Sequence, residues 1–169
     1  MWLIFTLEYF YGWQFSAFGI IPRSIPGLIG ILTGPLIHGN VYHLVSNTVP
    51  LLFLGSVLYF FYPTFAPTVF YRAYFWTNIL VWLFARPHSI HIGASGVIYA
   101  LAFFLIFFGI FYRDLRSLLI SVIVLLFYGG IFYGVLPSEP HISWESHLAG
   151  ALVGLMTAIT LSKKRIRTQ

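Results

Sequence analysis

The chain has 169 residues, of which 59% are hydrophobic, 20% are aromatic and only 8% are charged, and its formal net charge is +5. Soluble domains carry roughly 25% charged residues, so this composition excludes a soluble globular protein and indicates an integral membrane protein. The absence of cysteine excludes disulfides, a cysteine nucleophile and a cysteine-based metal site. We attribute the small positive charge to membrane topology and expect no nucleic-acid partner.

Apolar runs separated by proline, glycine and charged residues predict an all-α protein with six transmembrane helices in one integral domain, residues 1–169. A crossing of the bilayer needs about 20 mostly apolar residues. The predicted spans are Met1–Phe15, Pro35–Phe60, Ala73–Phe84, Ser95–Tyr112, Leu118–Leu136 and Trp144–Leu161.

The first and third predicted spans are shorter than a crossing requires. The first also contains Glu8 and lacks the basic region and cleavage site of a signal peptide, so we expect it to be a span truncated at its N-terminus. The third is expected to extend back past Arg72, whose long side chain can snorkel to the interface.

The distribution of lysine and arginine predicts a cytoplasmic C-terminus, because cytoplasmic loops are enriched in these residues. In that orientation the inner side carries Arg72, Arg113, Arg116, Lys163, Lys164, Arg165 and Arg167, and the outer side only Arg23 and Arg86. The six histidines, His38, His43, His88, His91, His141 and His147, then lie in or near the outer half. We expect the plasma (inner) membrane of a prokaryote.

Polar residues at one depth of three predicted spans suggest a chemical site. Ser95 begins the fourth span, His147 lies just inside the sixth, and His43 and Asn47 share one face of the second at i and i+4. Polar groups at membrane depth are costly and indicate function. A serine hydroxyl, an imidazole and fixed hydrogen-bond donors together suit acyl transfer.

Each of these residues also has a structural interpretation. Ser95 can be a helix N-cap, His147 a hydrogen-bonded interfacial residue, and His43 and Asn47 interhelical hydrogen-bonding groups. The glycine-flanked serine is a weak pattern in a chain with 15 glycines. The structural interpretation is less convincing for the four residues together, because it must place them all at one depth by accident.

Three segments, HGNVYHLVSN (38–47), GASG (93–96) and SHLAGALVG (146–154), together resemble the rhomboid intramembrane serine proteases. The resemblance implies a six-helix core with Ser95 as nucleophile and His147 as general base. It further implies His43 and Asn47 as the oxyanion-stabilising pair, and as supporting residues His38, Gly93, Gly96, Tyr99, Gly150 and Gly154. The long first outer loop with a Trp-Arg motif, seen in many relatives, has no counterpart between Ala17 and Gly34.

The residues predict a Ser-His dyad without a catalytic acid, cofactor or metal. Glu8 and Asp114 lie on the wrong side or in the wrong span, and Glu145 lies two residues before His147 and would face away from it. Glu139 lies in an outer loop. The expected partners are the lipid bilayer and transmembrane protein substrates, whose helix must unwind locally to expose an amide.

Three other function classes stay open. A catalytically inactive rhomboid-like chaperone or scaffold would share the fold, but it would be expected to lack the serine or the histidine. A metal transporter or metalloprotease could use the six histidines, but the chain has no His-Glu-x-x-His motif. A solute channel would need a polar stripe that continues to the cytoplasmic end.

The spacing of small residues predicts close packing between the fourth and sixth spans. In the sixth span one stripe contains His147, Gly150, Ala151, Gly154 and Ala158, and the matching stripe of the fourth contains Ser95, Tyr99, Ala102 and Ile106. Small residues let membrane helices approach closely, and a hydrogen bond between Ser95 and His147 requires such an approach.

Overall fold

A computed structural model of the chain describes residues 1–137 and 143–166, the last three by backbone alone. These residues form seven α-helices and no β-strand, which confirms the all-helical prediction. The helices are α1 (Trp2–Tyr11), α2 (Gly30–Thr33), α3 (Val41–Phe61), α4 (Ala66–Phe84), α5 (Ser95–Tyr112), α6 (Leu115–Tyr128) and α7 (Trp144–Ile166). Short 3₁₀ segments cover Ser16–Phe18, Pro26–Leu28, Gly34–Leu36 and Gly129–Val135.

Within the described part of the chain, three helical segments have the length and hydropathy of membrane spans: Val41–Phe61, Ser95–Tyr112 and Leu115–Val135. These segments correspond to the second, fourth and fifth predicted spans; the other three predicted spans do not meet the criteria of length and hydropathy. The helix α1 has 10 residues, about 15 Å at 1.5 Å per residue. It ends because Gly12 adopts a left-handed conformation (φ 67°) and donates its backbone N–H to the Glu8 carbonyl.

Several helix ends differ from the prediction for local reasons. The helix α3 begins at Val41 because the Asn40 side chain accepts a hydrogen bond from the His43 backbone N–H at 2.8 Å, an N-cap. Pro35, where the second span was predicted to begin, lies in a 3₁₀ turn instead. The helix α4 begins at Ala66, so it does extend back past Arg72 as expected.

The helix α5 is the centre of the core. Its side chains Phe104 and Phe108 are fully buried, and these two rings stack on each other with centroids 4.9 Å apart. On α6, Ser121 donates a hydrogen bond to the Ile106 carbonyl of α5 at 2.6 Å. The helix that begins with Ser95 is therefore packed inside the bundle.

The helix α7 packs along α5 through its small residues. A Cβ added at Gly150 would overlap the Gly96 carbonyl oxygen, and one added at Gly154 would overlap the Ala100 carbonyl oxygen. The glycines of the predicted α7 stripe are therefore at the seam. On α5 they meet Gly96, Ala100, the Phe104 backbone and Tyr99, the last of which belongs to the predicted α5 stripe. Both facing rows advance by four residues, as when the ridges of two helices interdigitate.

The segment between α1 and α3 packs on the end of α4 and on the loop before α5. The Arg23 guanidinium donates to the Leu83 and Ala85 carbonyls, each at 2.9 Å. Ile20 and His91 form an isolated antiparallel bridge. This short segment therefore supports the loop that leads to Ser95.

Candidate active site

The structure brings Ser95 and His147 into hydrogen-bond contact across α5 and α7. The distance from Ser95 Oγ to His147 Nε2 is 3.0 Å. Ser95 is the first residue of α5, but the N-cap is Ala94 and has no side-chain capping bond. The Ser95 hydroxyl therefore has its partner in another helix. Such a contact is the geometry that activates a serine nucleophile.

The second ring nitrogen of His147 has a backbone partner. Nδ1 lies 2.9 Å from the Gly134 carbonyl oxygen, and because a carbonyl can only accept, Nδ1 carries the proton. In the neutral ring Nε2 is then the free base that faces Ser95. The Tyr99 ring stacks on the imidazole with centroids 4.1 Å apart and planes 4° apart.

No carboxylate of the described residues orients His147. Glu145, which was expected to face away, forms an ion pair with Arg86, with Nε and Oε1 3.2 Å apart. Glu139 and His141 lie outside the described residues. The sequence prediction did not include Gly134, the acceptor that orients His147. Its only indication in the sequence is the run of glycines in GGIFYG (129–134) within an apolar segment.

The predicted oxyanion pair lies beside the nucleophile. A Cβ added at Gly93 would lie 2.5 Å from His43 Nε2, and Gly93 has a φ of 101°. Only glycine therefore fits at this position of the loop before Ser95, where the backbone lies against the His43 ring. Asn47 is 3% exposed and donates from Nδ2 to the His43 carbonyl at 2.7 Å. This bond uses one of its two amide protons and leaves one for a substrate.

The four predicted site residues line one cavity of about 970 Å³. Its walls come from α3, α5, α7 and the α6 end, and they include His43, Asn47, Ser95, Tyr99, Phe127, Ile131 and His147. A cavity of this volume is large enough for several water molecules and a short peptide segment.

The remaining predicted residues surround this cavity. His38 is 1% exposed and its ring packs against that of His43 with centroids 4.9 Å apart. At Gly96 an added Cβ would lie 2.9 Å from Thr77 Cγ2 of α4 and 3.1 Å from the Ser146 carbonyl oxygen. Gly96 and the α7 glycines Gly150 and Gly154 thus set how closely the helices approach.

Comparison with known proteins shows the family of the chain. The Rhomboid domain family model matches residues 26–164. Uncharacterized proteins of Mycobacterium tuberculosis and Mycobacterium bovis are each 34% identical over 172 residues, which cover 96% of this chain and 71% of theirs. An uncharacterized Mycobacterium leprae protein is 33% identical over 158 residues, covering 84% of this chain and 59% of its own.

No solved structure matches the chain. The family match covers most of the chain and includes every residue of the Ser95 and His147 site. Together with the apolar helices, it identifies an integral membrane protein that belongs to the Rhomboid domain family.

Proposed function

We propose that this protein is an intramembrane serine endopeptidase that cleaves transmembrane segments of other membrane proteins with a Ser95–His147 dyad. The observation that carries the proposal is the 3.0 Å contact between Ser95 Oγ and His147 Nε2 at the wall of a large cavity. The chemistry is the acyl transfer that a serine and an imidazole perform together.

In the first step Ser95 Oγ attacks the carbonyl carbon of the scissile amide while His147 Nε2 takes the hydroxyl proton. The Gly134 carbonyl stabilises the resulting imidazolium through the Nδ1–H bond. Nε2–H then protonates the leaving amine as the C–N bond breaks. Water hydrolyses the acyl-enzyme by the same proton transfers in reverse, which returns Ser95 and the neutral His147.

The negative charge on the tetrahedral intermediate needs donors at the cavity wall. We assign this role to His43 Nε2 and the second Asn47 amide proton, because both side chains line the cavity beside Ser95. Removal of one such preorganised donor typically lowers the rate by about 10² to 10³.

The proposed topology places the cavity toward the outer side and the C-terminus in the cytoplasm. In it α4 and α7 also cross the membrane, and the 10-residue α1 forms only part of the remaining one of six spans in one domain. Support comes from the lengths of α4 and α7, 19 and 23 residues, about 28 and 34 Å at 1.5 Å per residue. The membrane is proposed to be the plasma membrane of a prokaryote, which the bacterial relatives support.

Substitution of the dyad tests this function. We expect Ser95→Ala and His147→Ala to abolish cleavage of transmembrane substrates reconstituted with the purified protein, because they remove the nucleophile and the base and little buried volume. A serine-directed fluorophosphonate should label the wild type and not Ser95→Ala. Melting temperature and monodispersity are recorded for each variant.

Cleavage by Ser95→Ala at the wild-type rate would contradict the protease assignment. A wild-type protein that neither cleaves any substrate of the panel nor reacts with the fluorophosphonate would favour an inactive rhomboid-like scaffold instead.

A further inference from the structure

A second side-chain pair joins the same two segments four residues before the proposed dyad. His91 Nδ1 is hydrogen-bonded to Ser143 Oγ. His91 precedes Ser95 by four residues, and Ser143 precedes His147 by four. The loop before α5 and the start of α7 are thus connected once at the reacting groups and once immediately before them.

His91 is fixed on its own side of this contact. Its backbone N–H and carbonyl bond to the carbonyl and N–H of Ile20, each at 2.9 Å. Its side chain is 3% exposed, and its Nε2 lies 2.8 Å from Ser89 Oγ. The ring therefore has little freedom to move toward or away from α7.

Ser143 links the His91 side chain to the first turn of α7. Its carbonyl accepts hydrogen bonds from the backbone N–H groups of Ser146 at 3.0 Å and of His147 at 3.3 Å. Its hydroxyl also lies 2.7 Å from that of Ser146. A displacement of Ser143 would therefore displace the backbone of His147.

The protons of this network have one consistent arrangement. Ser89 donates its hydroxyl proton to the Arg86 carbonyl at 2.7 Å, so it accepts from His91 Nε2–H. Burial lowers the pKa of His91, so the ring is neutral at pH 7. Nδ1 must then accept the hydroxyl proton of Ser143.

We propose that His91 is a positioning residue for the proposed cleavage reaction: through Ser143 it holds the first turn of α7 and so sets the distance between His147 Nε2 and Ser95 Oγ. This inference rests on the proposed function. The Arg86–Glu145 ion pair also joins the loop after α4 to this turn of α7, with side chains 39% and 9% exposed, and is a second constraint on the turn. The His91–Ser143 bond differs from it in lying on the segment that leads directly to Ser95.

Two substitutions at His91 test the roles of its two ring nitrogens separately. Asparagine has a polar atom as many bonds from Cα as Nδ1, and glutamine as many as Nε2. His91→Asn can therefore still accept from Ser143, whereas His91→Gln keeps only the Ser89 partner. Ser143→Ala removes the same bond from the other side.

The experiment measures kcat, KM, fluorophosphonate labelling rate and melting temperature for the full chain. We expect His91→Gln and Ser143→Ala to lower kcat and the labelling rate about 10- to 100-fold with KM nearly unchanged, because a displacement of about 1 Å can cost 10²-fold. His91→Asn should restore most of kcat. The double variant His91→Gln/Ser143→Ala should be no slower than either single variant, because each single variant already removes the same His91–Ser143 hydrogen bond.

The control is His88→Asn, at an exposed histidine of the same loop whose φ of 60° asparagine tolerates; it should keep wild-type kcat. Wild-type kcat in Ser143→Ala, or an equal loss in His91→Asn and His91→Gln, would overturn the positioning role. If His91→Gln does not fold, the kcat values of Ser143→Ala and His91→Asn, each compared with the wild type, decide. Wild-type cleavage by Ser95→Ala would overturn the proposed function itself, whereas an inactive Ser95→Ala with a fully active Ser143→Ala would overturn only the role of His91.

Discussion

At the residue scale the proposed base is oriented by a backbone carbonyl, where a serine-protease triad uses a carboxylate. The Gly134 carbonyl accepts from His147 Nδ1, and this bond selects the tautomer with a free Nε2. A neutral acceptor stabilises an imidazolium less than a carboxylate does. The stacked Tyr99 ring supplies the rest of the orientation.

Gly134→Ala should disturb this arrangement. An added Cβ would overlap the Tyr99 hydroxyl, lie 2.9 Å from Tyr99 Cζ and lie 3.5 Å from His147 Nδ1. We expect cleavage and labelling to fall about 10-fold or more, since small displacements of a base are costly. Tyr99→Phe in the same chain removes the closest atom and should restore part of the rate.

The matched control for that variant is Gly129→Ala in the same 3₁₀ segment. The Cβ there would meet only Leu125 Cδ1 at 3.9 Å, an ordinary contact, so its rate should equal that of the wild type. Full activity of Gly134→Ala would mean that His147 does not depend on this carbonyl.

At the element scale the contact between Ser95 and His147 depends on the close approach of α5 and α7. Gly150 and Gly154 bring the α7 backbone against the carbonyls of Gly96 and Ala100. The buried Ala158 continues this row toward the other end of the helix. Small residues at such a seam permit the tight packing on which membrane helices depend.

Enlarging Gly154 should therefore separate the reacting groups. Alanine has a higher helix propensity than glycine by about 1 kcal/mol, so Gly154→Ala would stabilise an isolated helix. We expect the opposite at this seam, with reduced cleavage and labelling in Gly154→Ala and a larger loss in Gly154→Val and Gly150→Val. Melting temperature is measured beside both activities.

Leu152→Val is the comparison, because Leu152 is 49% exposed on the outer face of α7 and should tolerate the change. A folded Gly154→Val protein with full cleavage would show that the α5–α7 distance does not align the dyad.

At the scale of the whole molecule the two ends of the helix bundle differ in charge. The α3–α4 and α5–α6 turns meet at one end, where Phe65 contacts the Tyr112 ring at 6.2 Å and Arg116 lies 4.8 Å from the centre of the Phe61 ring. The proposed site lies at the other end, where Arg23 binds helix carbonyls and Arg86 pairs with Glu145. Because Arg113 and Lys163 also lie at the first end, that end has more arginine and lysine than the site end, in agreement with the proposed orientation.

Because the chain has no cysteine, single cysteines can report the orientation without background. An impermeant maleimide should label Ile25→Cys in intact spheroplasts and label Leu115→Cys only after permeabilisation. These two side chains are 85% and 72% exposed and lie at opposite ends. The unsubstituted chain is the blank, and the reverse labelling pattern would contradict a cytoplasmic C-terminus.

The sequence by itself determined the class of protein, the family and the candidate residues. Its low charge and long apolar runs leave no alternative to helices that satisfy their own backbone hydrogen bonds in lipid. The spacing within HGNVYHLVSN, GASG and SHLAGALVG placed His43, Ser95 and His147 at helix ends. Such local patterns are readable because they depend on residues close together in the chain.

Only the tertiary structure decided which groups meet. The Gly134 carbonyl reaches His147, and His91 reaches Ser143, across 13 and 52 residues of chain, and no local pattern encodes either contact. Nor did the sequence indicate that the α7 glycines meet Gly96 and Ala100 of α5, since the way two helices cross depends on the packing of both. Helix ends shifted where single capping residues such as Asn40 outweighed a continuing apolar run.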